Sequence, residues 1–262
     1  MKPFAVAVLA ALLSTTPARS QDWARKALEK STRHGEWVRV QSGGRPLHAF
    51  VVYPEVRKKA PVIVVVHEIF GLTDWARSAA DALAAEGYIA VAPDMLSGLA
   101  PGGGKTSDFP DVDAARAAMA TLDPAAVMRD LDAAADYAKA LPASDGRVSA
   151  IGFCWGGGQA FRYAAHRPDL RAAFVFYGPS APDVAPIKAP VYGFYAENDA
   201  RINASLPDVE KAMKAAGKRF EPVTYAGGGH GFMRGGQDPD GRPGDKKARA
   251  QALKRLKNLL RK

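Results

Sequence analysis

The stretch RVSAIGFCWGGGQAFRYAAH, residues 147–166, constrains the fold more than any other part of the chain. A β-rich run, Arg147–Phe153, meets a helical pattern, Gly156–His166, with only Cys154 and Trp155 between them. A chain turns from strand to helix that tightly only where the residues crowding the corner have no side chain, and Gly152 and Gly156 meet that need. Cys154, the chain's single cysteine, is then thrust clear of the backbone at the carboxyl end of a sheet, the pattern G-x-S-x-G with cysteine for serine. A helix starting just beyond would stabilise a thiolate through its unpaired N–H groups and dipole. The same N–H groups can hold an oxyanion. The plainer alternative is a small buried thiol.

The rest of the chain alternates in the same way. Strands are expected at Glu36–Val40, Leu47–Tyr53, Pro61–Val66, Tyr88–Pro93, Arg147–Phe153, Ala172–Tyr177, Val191–Tyr195 and Phe220–Tyr225. Helices are expected at Asp74–Glu86, Pro124–Ala140, Gly156–His166 and Leu206–Ala216. The run VIVVV lacks polar–apolar alternation, as strands covered on both faces do. The order predicts an α/β protein with an open, mostly parallel sheet, an antiparallel start and helices on both faces. The glycine- and proline-rich stretch Ser97–Pro110 follows a strand's carboxyl end, as a lid, a substrate loop or a tolerated insertion.

Residues 1–20 read as an export signal: Lys2 opens the chain, Phe4–Leu13 is apolar, and Ala18-Arg19-Ser20 offers small residues for cleavage. The apolar run is shorter than the roughly 20 residues of a membrane-spanning helix. The expected product is residues 21–262, a single domain that is periplasmic or secreted, monomeric and not inserted in a membrane after cleavage. The formal charge of +9 does not imply a nucleic-acid partner, because residues 241–262 hold nine Lys or Arg against Asp245 and residues 1–20 hold two more. What lies between is close to neutral. Leu253, Leu256 and Leu260 mark an apolar stripe on a final helix whose cations face water. A lone thiol in an oxidising compartment has to be buried or used.

A thiol nucleophile needs a base, and the base an orienting acid. In the chain order that goes with such an elbow, the acid follows a later strand and the histidine comes last. VYGFYAENDARI places Asp199 just past a strand end, with Glu197 as rival, and VTYAGGGHGFMR places His230 in the loop after the next strand. Upstream, the strand in VVVHEIFGL runs into the loop that supplies a second oxyanion donor, so the N–H groups of Ile69 and Trp155 are the expected pair. Glu68 in that loop could hold the thiol, accept its proton, or be a solvated loop residue. No spacing suggests a metal or phosphate site, and no cofactor is expected.

HEIFGL, VAPDML, GFCWGG, ENDARI and GGGHGFMR together resemble the dienelactone hydrolase family, within the α/β-hydrolase superfamily, over about residues 36–262. The resemblance implies the α/β-hydrolase fold, with Cys154 as nucleophile, His230 as general base and acid, Asp199 as its partner and Glu68 as the group that interacts with the resting thiol. It implies cleavage of a lactone or ester, as in the opening of dienelactone to maleylacetate, through a thioester. It also implies arginines that hold a substrate carboxylate: Arg234 matches one, and Arg116 is the nearest candidate for a second. Two other readings keep the fold: a non-catalytic binding or carrier protein, and a redox sensor using Cys154.

Overall fold

The run from Pro61 is buried on both sides because alternate residues enter different layers. In the computed structural model, which describes residues 21–261, strand β3 (Ala60–Val66) sends Ile63 and Val65 into one core and Val62, Val64 and Val66 into the other. Helices α2 (Asp74–Ala85) and α9 (Pro243–Leu260) cover the first face through Trp75, Leu83, Ala248 and Leu256. Helices α4 (Pro124–Lys139) and α5 (Trp155–His166) cover the second through Val127, Leu131, Ala160 and Tyr163.

The other strands are β1 (Gly35–Ser42), β2 (Arg45–Val52), β4 (Ile89–Pro93), β5 (Ser144–Phe153), β6 (Leu170–Phe176), β7 (Val191–Asn198) and β8 (Phe220–Gly229). They lie in one sheet in the order β1-β2-β4-β3-β5-β6-β7-β8. The β1–β2 and β2–β4 pairs are antiparallel and the remainder parallel. After β3 the chain goes to one side of it for β4 and to the other for β5, so the carboxyl ends of β3 and β5 flank the switch point where open α/β sheets bind ligands. This is the expected α/β-hydrolase architecture.

The strands and helices expected from the sequence all form, most extended by a few residues. Four α-helices among the described residues were not foreseen: α1 (Asp22–Glu29), α3 (Val112–Met119), α7's short predecessor α6 (Ala200–Asn203), α7 itself being Leu206–Ala215, and the one-turn α8 (Phe232–Gly235). Helix α3 begins at Asp111, whose carboxylate accepts from the Ala114 N–H at 2.8 Å. Ser97–Pro110 does not hang free ahead of it. The Thr106 N–H and hydroxyl both donate to the Asp94 carboxylate, at 2.8 and 2.7 Å, and the Leu72 N–H donates to the Thr106 hydroxyl. The expected export segment, residues 1–20, lies outside the described residues.

The corner after β5 has the tightness that its glycines imply. A Cβ on Gly152 would strike the Gly156 carbonyl, and one on Gly156 would strike the carbonyls of Val66 and His67 at the end of β3. Gly156→Ala is expected to destabilise the protein by roughly 1–3 kcal/mol, because the backbone at the end of β3 has to move. The measurement is a urea midpoint, which should fall with little change in slope.

Candidate active site

Cys154 sits at φ 57°, ψ −119°, a backbone conformation that L residues rarely adopt. Its N–H donates to the Phe176 carbonyl at 3.0 Å and its carbonyl accepts from the Gly158 N–H, so both neighbouring elements hold the corner. The sulfur is thereby aimed over the carboxyl edge of the sheet and is partly exposed.

His230 comes to it from β8's far end. Its Nε2 lies 3.0 Å from the Cys154 Sγ, and its Nδ1 lies 2.6 Å from Oδ2 of Asp199. Asp199 is buried and precedes α6, while His230 keeps about a third of its side chain exposed. The loop before His230 is clamped by the Gly229 N–H donating to Asp245 at 2.8 Å, and Asp245 in turn accepts from Arg242. The rival acid, Glu197, accepts from the Gly227 N–H at 2.8 Å, so it braces this loop rather than the imidazole. The contact with Cys154, supported by Asp199 and opposed by burial, raises His230 from an ordinary histidine value to about 9.

The N–H groups of Ile69 and Trp155 take no backbone acceptor among the described residues. They flank a cavity of about 590 Å³ that also has Arg116, Gln159 and Arg162 in its wall. Arg116 is exposed on α3 and paired with Asp113 at 3.3 Å. It reaches the cavity, but its charge is already partnered.

Glu68 departs from expectation. Its carboxylate does not bond the thiol. It accepts from the Arg234 Nε at 2.7 Å, and the sulfur is left to His230. Glu68 is buried, which pushes its carboxyl pKa up, and the Arg234 guanidinium beside it pulls back. Arg234, over the Phe70 ring at 5.1 Å, projects from α8 (Phe232–Gly235), one turn after His230. The two residues assigned separately in the sequence are therefore one ion pair, buried on the Glu68 side and partly exposed on the Arg234 side.

Two further residues shape the site and were not singled out by sequence. Tyr177, at φ 38°, directs its ring edge onto His230 with centroids 5.2 Å apart. Its signal was only its position at the end of the strand next to the elbow. His67 is fully buried, with Nδ1 2.7 Å from the Glu68 carbonyl and Nε2 3.2 Å from the Met95 N–H. The amide can only donate, so Nε2 accepts and the proton sits on Nδ1. Burial depresses its pKa, which keeps the ring in this neutral form. The ring stacks on Trp155 at 5.8 Å and so ties the loop after β3 to the start of α5.

The family model for the dienelactone hydrolase family matches residues 47–262. The chain is 34% identical to a protein from Salmonella typhi assigned as a carboxymethylenebutenolidase, over 81% of each chain. It is 35% identical to one so assigned from Methylorubrum extorquens, over 74% of this chain and 70% of the relative. Among solved structures it resembles a dienelactone hydrolase from Klebsiella pneumoniae, with TM-score 0.76 and 26% identity over 88% of this chain and 100% of the other. A dienelactone hydrolase-like promiscuous phosphotriesterase from metagenomic libraries matches with TM-score 0.73 and 25% identity, over 88% and 98%.

The raised His230 value carries a direct test. The ring is expected to hold its proton until about pH 9, and Cys154→Ala, which removes the largest raising contact, should move the titration to lower pH. Ring-proton NMR of histidine-labelled protein across pH 5–10 reads both.

Proposed function

The chain belongs to the dienelactone hydrolase family and is a carboxylic ester hydrolase of that type, and on that premise we propose that it cleaves a lactone or ester by a Cys154–His230–Asp199 triad through a thioester. The observation that carries the reading is the unbroken line from Sγ to Nε2 and from Nδ1 to Oδ2, at 3.0 and 2.6 Å. Sγ attacks the carbonyl carbon, the C–O π pair moves to oxygen, and the Ile69 and Trp155 N–H groups receive that oxyanion. Collapse expels the ring or alcohol oxygen. An enol lactone needs little protonation there, since an enolate is a good leaving group.

Hydrolysis of the thioester needs His230 as a base, and acylation supplies the change. Once Sγ carries an acyl group it no longer forms the contact that most raises His230. The imidazolium then gives its Nε2 proton to the departing oxygen and, now neutral, can take one from the attacking water. Asp199 keeps the ring oriented through both halves of the cycle.

Glu68 and Arg234 set the substrate preference in this reading. A substrate carboxylate reaching Arg234 competes with Glu68 for the guanidinium. Glu68, released in a buried setting that favours its protonated form, is then placed to take the thiol proton. Arg162 in the adjoining cavity wall favours anionic substrates further, whereas Arg116 there is paired with Asp113. The reading extends to an exported enzyme acting as a monomer, with residues 1–20 removed. The hydrolase names of the relatives speak against a binding protein or a redox sensor.

Cys154→Ala is expected to lower hydrolysis of both p-nitrophenyl acetate and dienelactone by roughly 10³-fold or more. Activity near the parent's in that variant would remove the sulfur from the mechanism. Arg234→Gln should lower kcat/KM for dienelactone by about 10- to 100-fold, the worth of one charge-assisted hydrogen bond, with a much smaller effect on neutral esters. Equal losses on both substrates would place Arg234 outside substrate recognition.

A further inference from the structure

Behind the catalytic corner, on the other face of β5, helices α2 and α9 enclose a cavity of about 460 Å³. Much of its wall is apolar: Trp75, Phe153, Met233, Leu253, Leu256 and Leu260. The other basic groups in the wall are neutralised. Arg33 donates to Asp81 through Nε and a terminal nitrogen at 2.9 and 2.6 Å, and the Lys257 ammonium lies 2.6 Å from Glu86.

Arg249 is the exception. It stands on α9 four, seven and eleven residues before Leu253, Leu256 and Leu260, so it heads the same stripe of the helix. Its Nε is sealed from solvent with no acceptor, and no hydrogen bond or ion pair among the described residues reaches its guanidinium. Burial lowers its pKa with no carboxylate to oppose it. Arginine nevertheless keeps its proton. A cation so placed is costly unless an anion joins it.

We propose that this cavity is a binding site for a small amphipathic monocarboxylate, with its carboxylate on Arg249 and its hydrocarbon chain along the leucine stripe, separate from the hydrolytic centre. The planar fork of a guanidinium matches a carboxylate through two parallel hydrogen bonds. The apolar wall calls for a hydrocarbon chain, and one unpaired cation calls for one negative charge. The volume lies within the range of small-molecule pockets. The bound chain would lie against Phe153 and Met233, the residues just before Cys154 and Arg234. The site does not depend on the triad reading.

Sodium decanoate, titrated into the full-length protein and followed by tryptophan fluorescence and calorimetry, tests the proposal, since Trp75 is in the wall. Saturable binding is expected, at least about tenfold weaker in Arg249→Met, where one charge-assisted pairing is lost. Arg234→Gln should bind as the parent does. Decanol and acetate, each lacking one half of the ligand, should bind much more weakly. Leu253→Trp, which fills the cavity and keeps Arg249, should also block decanoate. Hydrolysis of p-nitrophenyl acetate should be unchanged in Arg249→Met, so this result and the triad assignment fail separately. Absence of saturable binding, equal binding in Arg249→Met, or loss in Arg234→Gln alone would overturn the proposal; the last would put the ligand at the hydrolytic centre.

Discussion

The close approach of α5's first turn to the ends of β3 and β6 is the constraint from which the site follows. Gly156 lies against the carbonyls of Val66 and His67, and Gly157 against that of Phe176, with no room for a side chain at either. That contact draws the helix N-terminus over the sheet edge and holds Cys154 in a left-handed conformation that it would not adopt alone. The strain is local, and packing on both sides sustains it. Its result is a sulfur that stands beyond the backbone while the N–H of the next residue stays available.

Electrostatics then differentiate the groups that meet there. His230 is charged readily because it faces the Cys154 sulfur and a buried carboxylate, whereas His67, sealed at the end of β3, is held neutral. Glu68 is buried and Arg234 a third exposed, so a competing anion can reach the guanidinium from solvent while the carboxylate it would displace has no water to fall back on. Arg249 lies on the far side of the same corner without such a partner. Among the described residues, one small region thus holds a Cys154–His230–Asp199 line, a paired charge and a guanidinium with no partner at its Nε.

Much of this was legible in the chain. The elbow glycines, the buried run from Pro61, and the order of Cys154, Asp199 and His230 each express a local rule, and all three survive in the structure as geometry. Helices α1 and α3 were not read because each is only eight residues long and shows no long apolar period; α3 is fixed by the cap at Asp111, and the Gln21 side chain before α1 accepts from the Trp75 N–H on α2 instead of capping its own helix. The stretch Ser97–Pro110 was left open as a lid, a substrate loop or a tolerated insertion, because nothing local reveals that Thr106 is tied to Asp94. Glu68 was recognised as unusual, but its partner was misjudged. Arg234 lies 166 residues away and reaches it only after β8 has been laid at the far edge of the sheet.

By itself the sequence determined the kind of sheet, the position of the corner and the residue types that can react there, because those depend on neighbours within a few positions. Only the tertiary structure decided which charges face one another, which tautomer His67 holds and which arginine has its Nε sealed without an acceptor among the described residues. Coulomb energies and burial depend on distance through space, and the chain brings distant residues together only when the sheet has closed.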